Sequence, residues 1–265
     1  MSTLEVRDLV VGFGRGGRRF TAVDGVSLSV SSSAVVGLVG ESGSGKSTLA
    51  KAIVGLVPIE SGEVLWDGAP ITPEKRRWRR SAPDARRRVQ FVFQDPSGSL
   101  DPRLSVGSSI AEGVRANPAI PRSGRAAEVR RLLELVQLDP GCAGLRPRRL
   151  SGGQRQRIAI ARALAAAPEI LIADEITSAL DVSVQGAVLN LLHEIQRATG
   201  IGILFISHNL AVVRYVADTI AVMNGGRLVE RGPAEQVIDR PRAEYTRRLV
   251  QAVPSLPAGA RPATA

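Results

Sequence analysis

Cysteine is almost absent from this chain of 265 residues. Cys142 is the only one, which excludes an internal disulfide and a cysteine-only zinc site and leaves an inert thiol as the expectation. Aromatic residues make up 3%, so the core has to be built mainly from Leu, Val, Ile and Ala. No uninterrupted apolar run approaches the roughly 20 residues that span a bilayer. Met1 to Leu9 carries Glu5, Arg7 and Asp8 and has no signal-peptide core. The expectation is a cytosolic chain that does not cross a membrane by itself. No internal repeat is visible. What is plentiful is aliphatic content, with 44% apolar residues, ample for one large domain or a domain with a smaller lobe. Arginine supplies most of the net charge of +10. Its main cluster runs from Lys75 through Arg76, Arg77, Arg79, Arg80, Arg86 and Arg87 to Arg88, and a second holds Arg146, Arg148 and Arg149. Such runs mark a solvated face more often than a nucleic-acid or anionic-membrane surface.

The hydropathy pattern alternates between strands and helices. Thr3 to Val11 and Val26 to Val30 read as strands across a Gly- and Arg-rich turn at Gly12 to Arg19. Gly62 to Gly68, Val89 to Phe93, Glu169 to Asp174 and Ile201 to Ile206 read as further strands. Ser105 to Leu138 turns helical, broken near Pro118 and Pro121, with Val129, Leu132, Leu133, Leu135 and Val136 on one face. Ile220 to Met223 and Arg227 to Glu230 form a hairpin across Asn224-Gly225-Gly226. Strands alternating with helices predict an α/β fold with a parallel sheet covered on both faces. The tail from Pro254 is Pro- and Ala-rich and is expected to be disordered.

Gly40-Glu41-Ser42-Gly43-Ser44-Gly45-Lys46-Ser47 follows an apolar strand, Ala34 to Val39, and opens a helix at Ser47 to Val54. It matches the phosphate-loop pattern G-x-x-x-x-G-K-[ST] in the context that pattern requires. The glycines let backbone N–H groups converge on phosphate oxygens, and the helix start adds partial positive charge. Lys46 reaches the β- and γ-phosphates, and the Ser47 hydroxyl is a ligand for Mg²⁺. A second element, Ile170 to Glu175, ends an apolar strand in two carboxylates. Asp174 suits the Mg²⁺ shell, and Glu175 suits a base that orients the attacking water. In a third, Leu150-Ser151-Gly152-Gly153-Gln154, Ser151 caps a helix and two glycines allow close approach to an anion. One chain has little use for two such helix starts on one nucleotide. Two chains docked head-to-tail would use both.

With that third element the chain resembles the ATP-binding cassette (ABC) ATPases, over nearly its whole length. The resemblance implies a P-loop fold with a RecA-like core, an N-terminal antiparallel β subdomain and an inserted α-helical subdomain at about 100–165, together filling residues 1–253. It implies ATP and Mg²⁺ as cofactors. It assigns Lys46, Ser47 and Thr48 to phosphate and metal, Gln94 and Asp174 to the metal shell, and Glu175 to water activation. His208, after Leu204 to Ser207, matches the histidine that contacts the γ-phosphate. Ser151, Gly152, Gly153 and Gln154 would serve the partner's ATP, and Asp181 closes the bridging D-loop Ser178 to Asp181. Phe13, with Phe20 second, is the candidate for stacking on adenine. His193 matches nothing and reads as a helix-surface residue.

Longer stretches resemble importers of oligopeptides, dipeptides and nickel. They are Phe93 to Pro102, Ser178 to Gln185 and Tyr245 to Leu249. Ile176 departs from the usual proline and Asn209 from the usual aspartate, and no cysteine cluster for iron–sulfur chemistry is present. The implied partners are integral membrane permease subunits, a second ABC ATPase and, indirectly, an extracytoplasmic solute-binding protein, with the chain on the cytoplasmic face of the membrane. Gln94 to Ser105 and the helical lobe are the expected contact with the permease. Relatives are also basic before the stretch Phe93 to Pro102, the glutamine loop, which favours the solvated-face reading and leaves nucleic acid unexpected. A soluble assembly such as a phosphonate-cleaving complex is the alternative, and nucleic-acid processing a more distant one.

Overall fold

The computed structural model of the chain describes residues 2–14, 19–71 and 87–252. The basic run from Lys75 to Arg86, part of the turn before Arg19 and the tail beyond Ala252 lie outside the described residues. The chain divides into two compact units, one of Thr3–Thr72 with Leu204–Ala265 and one of Met1–Ser2 with Pro73–Ile203.

The first unit begins with a four-stranded antiparallel sheet in the order β2-β1-β4-β5. Its strands are β1 (Thr3–Phe13), β2 (Phe20–Ser31), β4 (Ser61–Trp66) and β5 (Ala69–Pro70). In β1 the buried residues change parity, from Leu4 and Val6 to Leu9 and Val11. A strand alternates faces with period two, so the change demands an inserted residue. The register against β2 slips between Val6 and Leu9, and Asp8 sits at φ 45°. Ser27 stabilises the bulge: its Oγ accepts from the Asp8 amide at 2.8 Å and donates to the Asp8 carboxylate at 3.0 Å.

The same unit holds β3 (Val35–Val39), β8 (Gly202–Ser207, which enters it at Leu204), β9 (Thr219–Asn224) and β10 (Arg227–Pro233), in the order β10-β9-β3-β8. β3 pairs parallel with β9, and β9 antiparallel with β10 in the expected hairpin. Every residue of β3 is buried. Its Gly37 admits α7 (Leu210–Val216): a Cβ there would sit 2.1 Å from Val213 Cγ1 and 3.0 Å from Ala217 Cβ. Helix α1 (Lys46–Ile53) follows β3, and α8 (Ala234–Asp239) and α9 (Glu244–Gln251) close the chain. The Glu230 carboxylate of β10 accepts the Arg242 and Ala243 amides at 2.8 and 2.9 Å and so fixes the entry to α9.

The second unit pairs β6 (Val89–Val92) parallel with β7 (Ile170–Asp174), whose residues are all buried. Between them the chain is helical: a short turn α2 (Pro96–Ser99), then α3 (Val106–Ala116), α4 (Arg125–Leu135) and α5 (Gly152–Leu164). The expected break near Pro118 and Pro121 falls between α3 and α4. Val129, Leu132, Leu133 and Val136 are buried as expected, whereas Leu135 is half-buried, one step off the face its neighbours define. Gly113 lets α3 approach α5, since a Cβ would lie 2.6 Å from the Arg162 carbonyl. Helix α6 (Val182–Thr199) follows β7 and ends on Gly200 in the left-handed conformation. Burial, then the Asp139 charge, raises the Cys142 thiol pKa, in keeping with an inert thiol.

Gly37→Ala should lower unfolding stability by about 1–3 kcal/mol, because Val213 has no room to retreat. Val213→Ala in the same chain should recover much of that loss, and chemical denaturation of both variants checks the coupling. Desolvation acts to raise the Glu230 pKa. The buried Thr246 hydroxyl, which faces the carboxylate short of full hydrogen-bond geometry, the two amides and Arg242 outweigh it and hold the pKa below the usual carboxylate range. A depressed carboxyl stabilises the fold above its unfolded pKa and ceases to as pH falls through the folded one. Glu230→Gln should therefore be less stable than the parent at neutral pH, and the difference should shrink as pH falls below the unfolded carboxyl value and close only below the lower folded-state pKa, in melts across pH.

Candidate functional site

The phosphate loop runs from the end of β3 into α1. Its first and last glycines are required by packing. A Cβ on Gly40 would lie 2.1 Å from the Met223 carbonyl oxygen, and one on Gly45 2.2 Å from that of Ala22. Gly45 is the N-cap of α1 and has no side chain to offer, so the first amides of the helix keep no side-chain cap. That is the arrangement an anion completes. Lys46 is 4% exposed and folds back over the loop. Its Nζ donates to the Gly40 and Glu41 carbonyls, both at 2.8 Å, and to Ser44 Oγ at 3.3 Å. Glu41, Ser42 and Gly43 are exposed at the mouth, while Ser47 and Thr48 are half-buried.

His208 follows β8 and is exposed. Its neighbours hold the bend: Ser207 Oγ accepts from the Asn209 amide, and Asn209 Oδ1 caps α7 through the Ala211 and Val212 amides. Capping needs only a short side-chain oxygen, which asparagine supplies as well as aspartate. Phe13 and Phe20 face each other across the β1–β2 pair and expose 45% and 63% of their surface.

The second unit carries the remaining residues. Asp174 ends β7 and is 4% exposed. Glu175 follows at φ 49°, a conformation that costs a residue with a Cβ about 1 kcal/mol or more and persists only when its surroundings fix it. Ser178 does the fixing. Its amide and its Oγ both donate to the Glu175 carbonyl, at 3.1 and 2.9 Å, and Gln94 Nε2 donates to the same Oγ at 3.3 Å. The structure thus links Gln94 to the backbone of Glu175 through one hydroxyl. Asp181 is the N-cap of α6 but makes no side-chain cap, so its exposed carboxylate is not committed to the helix.

Ser151 caps α5 in a full capping box. Its Oγ accepts the Gln154 amide at 3.2 Å, and Gln154 Oε1 accepts the Ser151 amide at 2.9 Å. The Ser151 O–H and Gln154 Nε2 remain as outward donors. The glycines between them pack on the D-loop and the helix it feeds. A Cβ on Gly152 would meet Leu180 Cδ2 at 3.6 Å, and one on Gly153 would meet Val184 Cγ1 at 2.6 Å. Gln185 Nε2 donates to Thr177 Oγ1 at 3.2 Å. Val184 and Gln185, which hydrolysis alone does not demand, therefore brace the Ser151–Gln154 helix start and the Asp174–Ser178 turn.

Sequence inspection missed Ser178 as the tie on Glu175. It also missed a cavity of about 760 Å³ in the second unit, lined in part by Arg103, Arg146, Arg148 and Arg149. The proximity of Arg146 to Arg149 in the sequence was visible, but nothing in it placed Arg103 beside them. Among the described residues no cluster of three or more His, Cys, Asp or Glu forms a metal site. The predicted Mg²⁺ donors are a carboxylate, a hydroxyl and an amide oxygen, a hard-oxygen set that fits Mg²⁺ rather than a soft metal.

Comparison with known proteins places these features in context. The family model described as ABC transporter matches residues 23–178. A protein of Brucella abortus named peptide import ATP-binding protein is 46% identical over 259 residues, covering 96% of this chain and 76% of the relative. Glutathione import ATP-binding protein GsiA of Escherichia coli is also 46% identical, over 261 residues, and the chain spans 41% of that relative's length. Among solved structures, cbiO1 of Clostridium perfringens, part of the ABC transporter complex cbiONQ, superposes with TM-score 0.78 at 29% identity, covering 89% of this chain and 90% of that one. The dimeric post-hydrolysis state of the cassette MJ0796 bound to ADP and phosphate superposes with TM-score 0.75 at 27% identity, covering 87% and 98%.

Ser178→Ala removes one of two donors to the Glu175 carbonyl and the acceptor of Gln94. ATP turnover should fall by roughly five- to tenfold, the worth of about one hydrogen bond, with ATP affinity within twofold of the parent. Steady-state kinetics alongside equilibrium nucleotide binding reads both quantities.

Proposed function

The chain belongs to the ABC transporter ATP-binding family, and we propose that it is the ATP-hydrolysing motor of an importer for peptides or a related small solute. The observation that carries the importer reading is 46% identity, over almost the whole chain, to import ATP-binding proteins for peptides and for glutathione. It does not favour a soluble lyase complex or a nucleic-acid ATPase. No helix among the described residues is long and apolar enough to cross a membrane, so transport requires permease subunits as separate chains or segments. The chain acts from the cytoplasmic face, with a solute-binding protein delivering cargo on the far side.

The residues divide the work. Lys46 and the α1 amides bind the phosphates, and Ser47, Asp174 and Gln94 would hold Mg²⁺. When bound, Mg²⁺ neutralises charge on the phosphates. Glu175 takes a proton from water as that water attacks the γ-phosphate, and His208 holds the γ-phosphate in line. Phe13 stacks on adenine. Ser151, Gly152, Gly153, Gln154 and Asp181 act on the nucleotide of a second ATPase chain, identical or paralogous. The dimeric cassette among the solved relatives supports this pairing. ATP binds the closed dimer better than the open one and so biases it shut, and hydrolysis releases it. The cavity beside Pro102, lined in part by four arginines, supports a docking role for this part of the helical region, because it offers positive charge to a permease loop.

Glu175→Gln should lower ATP turnover by at least two orders of magnitude while ATP binding persists and the dimer accumulates in its closed form. Turnover near the parent value in the assembled importer would remove Glu175 from the role of base.

A further inference from the structure

The resemblance to peptide importers includes Tyr245 to Leu249, a stretch that hydrolysis does not explain. Tyr245 stands in the first turn of α9, 204 residues from Glu41, yet its hydroxyl accepts the Glu41 backbone N–H at 3.0 Å. That N–H belongs to the same peptide plane as the Gly40 carbonyl. The Gly40 carbonyl in turn accepts the Lys46 ammonium at 2.8 Å. One rigid peptide is therefore held on one edge by a phenol and on the other by the lysine of the phosphate loop. A peptide plane that rotates carries both groups with it. Gly40, at φ 156° and without a Cβ, offers little local resistance to rotation.

We propose that Tyr245 is a positioning residue for Lys46, fixing the Gly40–Glu41 peptide so that the ammonium is set over the phosphate loop before nucleotide arrives. The mount is stiff. Glu230 caps the entry to α9 through two amides. Arg247 bonds back to the Pro241 and Arg242 carbonyls at 3.2 and 2.8 Å, and Thr246 is fully buried. A second tether from the same end of the chain reaches the loop, the Gly226 amide on the Ser44 carbonyl at 3.0 Å. Donation of the Glu41 N–H to the phenol also polarises the carbonyl across the plane and strengthens its hold on Lys46. Without the hydroxyl, water can take the N–H but does not fix its direction. The loop then has to be ordered at the moment of binding, at a cost in affinity. The C-terminal helix is in this way part of the nucleotide site.

The inference rests on the phosphate loop being the ATP site. The test measures ATP affinity of the full chain by equilibrium binding, KM and kcat in the assembled ATPase, and thermal unfolding, for the parent, Tyr245→Phe and Lys46→Ala. Phenylalanine keeps the ring and removes only the hydroxyl. Tyr245→Phe should weaken ATP binding about three- to tenfold and raise KM by the same factor, with kcat and the melting temperature essentially unchanged. A change in affinity below twofold overturns the proposal, as does a fall in melting temperature and kcat with KM unaltered, which would mark a purely structural residue. Unimpaired ATP binding by Lys46→Ala is a separate result: it removes the phosphate-loop reading, and this inference with it.

Discussion

A lysine ammonium withdrawn from water has to keep its donors occupied, and Lys46 meets that demand with the backbone of its own loop. Two carbonyls and one hydroxyl surround an ammonium that is 4% exposed. An unpaired charge at that depth costs several kcal/mol, so the ammonium and the loop carbonyls depend on one another, and whatever orients those carbonyls sets the lysine. The neighbouring constraints follow. The Met223 and Ala22 carbonyls press on Gly40 and Gly45 so closely that no Cβ fits. The chain arrives at the loop along a fully buried strand, β3, and leaves along a helix whose first amides no side chain caps. The loop's shape is thus set by the protein's own bonds and packing, and an anion arriving at the α1 amides does not have to build it.

The carboxylate half follows the same logic with different means. Glu175 sits in a left-handed conformation that its own preference opposes, and Ser178 holds it there through two donors to one carbonyl. Because Gln94 bonds to the same hydroxyl, a movement of the glutamine loop is felt at the backbone of the candidate base. Gly153 brings the start of α5 close to α6, where a Cβ would lie 2.6 Å from Val184 Cγ1. The Ser178 contacts tie Gln94 to the backbone that carries the Glu175 carboxylate.

The motifs were legible because each carries its chemistry within a few consecutive residues. Gly40 to Ser47, Ser151 to Gln154 and Ile170 to Glu175 announce phosphate, helix start and carboxylate without reference to anything distant. Buried runs such as those of β7 and β8 were legible for the same reason, and so was the hairpin at Asn224 to Gly226. The supports were not, because each is a contact between residues far apart in the chain. Tyr245 reaches Glu41 across 204 residues and Gln94 reaches Ser178 across 84, and no period or propensity encodes either. The bulge at Asp8 was concealed by a long strand whose apolar residues merely shift parity. Asn209, a departure from the family pattern, became intelligible only as the cap of α7. Ser151 was legible as a helix cap, and the structure adds the reciprocal bond from Gln154 that completes the capping box.

If this chain drives a membrane importer, it has to be held by the importer's membrane subunits. The most direct measurement is affinity purification of the tagged chain from gently detergent-solubilised membranes of its own host, followed by mass spectrometry of what accompanies it. Two multi-span permease proteins and an ATPase partner should accompany the chain, with the associated solute-binding protein indicating the cargo. Soluble enzymes or nucleic-acid proteins in their place, with no multi-span protein, would contradict the importer role while leaving the cassette fold intact.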